Sequence, residues 1–97
     1  MGKIYRGQTK LRIQVTASQN ITGATELLVK YKKPDGVFGS WPGTASNDTN
    51  GVIYKDVTLA TTLDQSGRWE TWSGVTFSDG GYAPGEAVEM MVYEEGD

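Results

Sequence analysis

Hydrophobic residues along this chain recur at every second position, and no window shows the spacing of an amphipathic helix. Leu11, Ile13 and Val15 alternate with Lys10, Arg12 and Gln14, which predicts a half-buried strand. Leu27, Val29 and Tyr31 alternate with Glu26, Lys30 and Lys32 in a second strand, where Leu28 interrupts the polar side and predicts cover on both faces near its start. Between the two, the polar stretch Ser18 to Gly23 carries one apolar anchor, Ile21, expected to enter the core. Pro34-Asp35-Gly36 predicts a tight turn, because proline presets φ, aspartate closes the turn through its own side chain and glycine accepts positive φ. A short strand from Phe38 to Trp41 follows and ends at Pro42-Gly43.

Asn50-Gly51 is the strongest turn signal of the next loop and leads into a strand from Val52 to Leu59, with Ile53, Val57 and Leu59 as its apolar positions. In Leu63-Asp64-Gln65-Ser66-Gly67-Arg68-Trp69, a leucine, a polar corner with one glycine and an aromatic precede a long alternating stretch. Such a corner carries a chain from one sheet of a sandwich to the other. Trp69, Thr71, Ser73, Val75 and Phe77 then share one side, Ser78-Asp79-Gly80-Gly81 turns the chain, and Glu86 to Tyr93 closes the pattern with Val88, Met90 and Val92 inward. About seven strands separated by short Gly, Asn, Asp and Pro turns predict an all-β fold, an immunoglobulin-like antiparallel β-sandwich. It is expected as a single domain over residues 1–97, with the acidic tail Glu94 to Asp97 fraying.

Composition narrows the chemistry. The chain has no cysteine and no histidine, which removes disulfides, thiolate metal sites, the usual general base near neutral pH and the commonest zinc ligand. The expectation is a protein that is not an enzyme, with no catalytic residues, cofactor or metal. Its 13 glycines fall at predicted turns and form no phosphate-cradling loop. Asp79-Gly80-Gly81 and Asn47-Asp48-Thr49-Asn50 offer oxygen atoms to calcium but lack EF-hand spacing. Glu70 with Glu86 or Glu89 could face one another across strands, as a glycosidase requires, although a small sandwich has little room for a cleft. No apolar run reaches the roughly 20 residues of a membrane span and the first residues carry no signal-peptide core, so neither a membrane partner nor a signal peptide is expected.

Charge changes the picture further. The net charge of −3 is too mild to indicate a nucleic-acid partner, but residues 1–36 carry seven bases against two acids (+5) and residues 37–97 carry two bases against ten acids (−8). Basic early strands pairing with acidic late strands inside one sandwich is the simpler reading; complementary faces on neighbouring copies of the chain is the other. Aromatic residues supply the candidate contact surface. Trp69 reads as core, and Trp72 then has the opposite parity and points outward. Trp41, beside Pro42-Gly43, is expected to be exposed as well, and with Phe38 and Tyr82 these make the candidate contact surface Trp41, Trp72, Phe38 and Tyr82. Burial against another protein subunit is favoured over stacking on a glycan.

Five blocks carry a family resemblance: Ile21 to Thr25, Val29 to Gly36, Asn50 to Tyr54, Leu63 to Trp69 and Val75 to Gly80. In that order they resemble the immunoglobulin-like domains of tailed-phage structural proteins, most closely the N-terminal modules of baseplate upper proteins and small stand-alone virion proteins. The resemblance runs from about Ile4 to Tyr93. It implies a virion building block in tail, baseplate, head-tail or capsid, made in the bacterial host cytoplasm. Its partners would be other virion proteins and possible further copies of itself. The stretch Phe38 to Gly43 departs from the pattern, and the end of the chain after Glu94 favours a single-domain structural or decorating protein over a fused baseplate subunit. A carbohydrate- or host-surface-binding sandwich using exposed tryptophans is the alternative.

Overall fold

Period-two alternation along the chain becomes two facing sheets in the computed structural model, which describes residues 3–17 and 19–96. The smaller sheet holds β2 (Leu11–Thr16), β6 (Val52–Val57) and β5 (Thr44–Asn47), in that order. The larger sheet runs β1 (Ile4–Tyr5), β9 (Val88–Tyr93), β7 (Gly67–Phe77), β3 (Ala24–Lys32) and β4 (Phe38–Pro42), with β8 (Tyr82–Pro84) beside the second half of β7. The described residues contain no helix. The protein is an all-β sandwich.

Nine strands form among the described residues where about seven were expected. Three short strands, β1, β5 and β8, have no alternation long enough to read and are defined by the strands they pair with. The arrangement is also not purely antiparallel, because β1 pairs in parallel with the end of β9. The strand expected to reach Leu59 stops at Val57, and Leu59 is 65% exposed.

Inner-facing side chains of both sheets make one core: Ile13 and Val15 of β2, Ile53 and Val57 of β6, Val29 of β3, Trp69 and Val75 of β7, and Val92 of β9 are all buried. Ile21 and Leu63 join them from connections, as anchors of the loops on either side. The corner after Leu63 does cross from β6 in the small sheet to β7 in the large one. It is fixed by the Trp69 indole N–H, which donates to the Gln65 carbonyl at 2.9 Å. Trp69 is fully buried, and Tyr31 and Trp41 pack on it with ring centroids 5.5 and 6.1 Å away.

The β3–β4 hairpin forms as expected. Gly36 has φ of 90°, its N–H donates to Lys33, and the Asp35 carboxylate accepts from the Val37 N–H at 3.0 Å. The hydrogen bonds from Val37 and then Gln65 hold the Asp35 carboxyl below its ordinary range. Charge from the two halves of the chain meets within the sandwich. Arg6 pairs with Glu94 at 2.9 Å, Arg12 with Asp56 at 2.7 Å and Lys33 with Asp64 at 3.0 Å. Glu94 is therefore anchored rather than frayed, while Asp97 lies outside the described residues.

Candidate functional site

Register on the large sheet decides which aromatic residues share a surface. On β3, Val29 and Tyr31 face the core, so Leu28, Lys30 and Lys32 face outward. Cross-strand pairing sets Lys32 opposite Phe38, Lys30 opposite Ser40 and Leu28 opposite Pro42 on β4. On the other side, β7 sets Glu70 opposite Lys32, Trp72 opposite Lys30 and Gly74 opposite Leu28. Tyr82 and Pro84 of β8 extend the same face, opposite Thr76 and Gly74.

Phe38, Trp72 and Tyr82 therefore lie on one outer face. Phe38 is 66% exposed, Tyr82 is 49% exposed and Trp72 is half-buried. The Phe38 ring meets Trp72 edge-on, with centroids 6.2 Å apart and planes at 75°. Two lysines lie among the rings, with Lys30 Nζ 4.8 Å from the Tyr82 ring centre and Lys32 Nζ 5.5 Å from that of Phe38. Cation–π placement of this kind keeps an ammonium beside an apolar surface without neutralising it. Glycine at position 74 makes room for the arrangement, since a Cβ there would sit 2.8 Å from Lys30 Cε and 3.0 Å from the Tyr82 hydroxyl.

No carboxylate among the described residues pairs with Lys30 or Lys32. Glu70, the nearest in register to Lys32, is instead approached by Arg68 at 3.8 Å. At this end of the face Lys32, Lys33, Pro34, Arg68 and Glu70 line a shallow depression of about 250 Å³. Lys33 there pairs with Asp64 and Arg68 with Glu70 and Glu89, which leaves Lys32 as the basic side chain of the depression without a carboxylate partner among the described residues.

Trp41 does not belong to this surface. It stands opposite Val29, on the inner side of β4, half-buried against Tyr31 at 4.3 Å between ring centroids and stacked on Trp69. Its position beside Pro42-Gly43 suggested exposure, but parity along β4 turns Trp41 inward and Phe38 outward. The lysines carried a complementary lesson: alternation marked Lys30 and Lys32 as polar positions, and only cross-strand register reveals that they sit between aromatic rings.

The other candidate groups are committed elsewhere. Glu70 and Glu89 are directly opposed on β7 and β9, but Arg68 lies 3.8 and 3.3 Å from them. Glu86 precedes β9 and has no place in that pair. The Asp79 side chain accepts from the Gly81 N–H at 2.8 Å and that of Asn47 from the Asn50 N–H at 3.1 Å, so both close turns. No group of three or more His, Cys, Asp or Glu that could hold a metal occurs among the described residues.

No family model matches the chain, and no curated protein sequence matches it. Among solved structures it is similar to CopC from Methylosinus trichosporium OB3b, with a TM-score of 0.58 over 100% of this chain and 89% of that one. At 12% identity this likeness carries the β-sandwich fold. It also corrects the functional expectation drawn from the phage resemblance: the whole-chain structural likeness is to CopC, and the assignment as a virion assembly module is withdrawn.

Proposed function

We propose that this protein is a non-catalytic binding module that docks an acidic, partly apolar polypeptide surface on the outer face of its large sheet. The observation that carries this reading is the placement of Lys30 and Lys32, without carboxylate partners among the described residues, between the rings of Phe38, Trp72 and Tyr82. Rings supply desolvated contact area at small conformational cost, and unneutralised cations beside them select negative charge. A sugar-stacking platform fits less well. Pyranose rings stack on an open aromatic face, whereas Phe38 meets Trp72 edge-on and lysines overlie Phe38 and Tyr82. The likeness to CopC contributes the scaffold alone, and a chain without histidine or cysteine lacks the donors that most transition-metal centres use.

The test is a tryptophan-fluorescence titration with a random glutamate–tyrosine copolymer, alongside polyglutamate, polylysine and a panel of neutral polysaccharides. The copolymer is expected to bind best and to weaken as salt is raised. The double variant Lys30→Glu/Lys32→Glu, or Trp72→Ala, is expected to reduce its affinity about tenfold or more. Equal binding by the double variant, or binding to the polysaccharides in place of the copolymer, overturns the proposal.

A further inference from the structure

Sheet edges in this protein are unequally closed. β1 and β8 are two and three residues long, β5 carries a register shift between Ala45 and Asn47, and Gly85 lies against the Thr16 carbonyl at the end of β2. Short length, bulges and cover keep an edge from recruiting another strand. The remaining edge, β4, borders the outer aromatic face and pairs with β3 in unbroken register from Phe38 to Pro42.

The ends of the β3–β4 ladder fix which backbone groups of β4 are open. Lys33 N–H donates to the Val37 carbonyl at one end and Gly43 N–H to the Leu27 carbonyl at the other, both at 2.9 Å. Alternation in an antiparallel pair then turns the backbone of Gly39 and Trp41 toward β3 and that of Phe38, Ser40 and Pro42 toward the open side. Phe38 and Ser40 each present an N–H and a carbonyl there, and Pro42 a carbonyl alone. Among the described residues β4 pairs with β3 alone, and the backbone hydrogen bonds outside the ladders do not involve Phe38 or Ser40. Both side chains are exposed on the outer face.

The two faces beside this edge differ in chemistry. On the outer face Lys32 stands opposite Phe38, leans over that ring with Nζ 5.5 Å from its centre, and has no carboxylate partner among the described residues. On the inner face Gly39 leaves a space where a Cβ would overlap the Tyr31 ring, and Trp41 is half-buried beside Tyr31. An antiparallel strand added to β4 sets the residues opposite Phe38 and Ser40 on the outer face and those between them on the inner one. From two strand spacings away, about 10 Å between backbones, an outer glutamate and the Lys32 side chain together span the gap. Inner residues meet Tyr31 and Trp41.

We propose that the polypeptide bound on the outer face is anchored at its β4 border by antiparallel strand addition, through an extended segment that alternates acidic residues with aromatic ones. This rests on the outer-face reading above and gives it a binding mode. Main-chain bonds to Phe38 and Ser40 hold the segment, while Lys32 on one face and the Tyr31–Trp41 pair on the other select its alternation.

In this register the glutamate N–H groups of a strictly alternating glutamate–tyrosine peptide donate to β4, and its tyrosine N–H groups point away. Tryptophan-fluorescence titration therefore compares the unmodified peptide with one N-methylated at every glutamate and one N-methylated at every tyrosine. Glutamate methylation is expected to weaken binding about tenfold or more, and tyrosine methylation to change it by less than about twofold. Ser40→Pro removes an outward N–H without touching the bonds to β3, and is expected to weaken the unmodified peptide about tenfold, with circular dichroism confirming its fold. If that variant does not fold, the methylated peptides on the unaltered protein decide. Equal effects of the two methylations, the reverse order, no binding of the unmodified peptide, or full binding by folded Ser40→Pro overturns the strand addition. With any of these, loss of the random copolymer in Lys30→Glu/Lys32→Glu leaves the outer-face reading standing, whereas undiminished copolymer binding by that double variant overturns both.

Discussion

Trp69 ties the corner between the sheets to the aromatic part of the core. It is fully buried, its N–H is satisfied by the Gln65 carbonyl, and Tyr31 and Trp41 pack on its ring. Trp69→Ala is therefore expected to cost about 3–5 kcal/mol in urea unfolding, a large part of the stability of a domain this size. Ser73 makes the opposite case. Its hydroxyl is buried with no hydrogen-bond partner among the described residues, and Gly85 approaches so closely that a Cβ at position 85 would overlap it. Ser73→Ala is expected to be neutral or to stabilise by about 1 kcal/mol, since it removes a desolvated group that gains nothing in return. A fall of comparable size on calorimetry would show that a partner for the hydroxyl exists. Parity made Trp69, Thr71, Ser73 and Val75 readable as one inward row. It also placed Trp72 outward, but Trp41 required the register of β4 against β3.

Among the elements, those with their own alternation were legible and those defined by a neighbour were not. β2, β3, β7 and β9 carry the pattern internally, while β1, β5 and β8 gain their strand character from β9, β6 and β7. The charge division between early and late strands has a measurable consequence here. Arg12 holds the Asp56 carboxyl below the usual range, Arg6 with help from the Ser66 hydroxyl does the same for Glu94, and the Val37 N–H and Gln65 do so for Asp35. A carboxyl depressed in the folded state binds fewer protons than it does unfolded, so its contribution is present at neutral pH and is lost as pH falls through the depressed folded values. The urea midpoint is expected to hold steady from neutral to mildly acidic pH and to fall below about pH 4, with Asp56→Asn flattening part of the decline. Lys33 and Arg12 are raised by Asp64 and Asp56, so their contributions are lost only at strongly alkaline pH. These pairs are largely exposed, and each contributes modestly.

At the scale of the whole molecule, the alternation and turn chemistry were enough to specify a β-sandwich, and the corner at Leu63–Trp69 was enough to place a crossing between sheets. Function was far less legible, because a binding face is a property of register between strands distant in sequence: Lys30, Phe38, Trp72 and Tyr82 meet only after β3, β4, β7 and β8 have aligned. The same scaffold leaves the aromatic-cationic outer face exposed. The outer face is tested most directly by nuclear magnetic resonance of the ¹⁵N-labelled protein during addition of the glutamate–tyrosine copolymer. Binding at the proposed site predicts shifts concentrated in the amides of β3, β4 and β8, the second half of β7 and the Trp72 indole, with the Trp69 indole and β2 unmoved. Shifts confined to β2 and β9, or none at all, would contradict it.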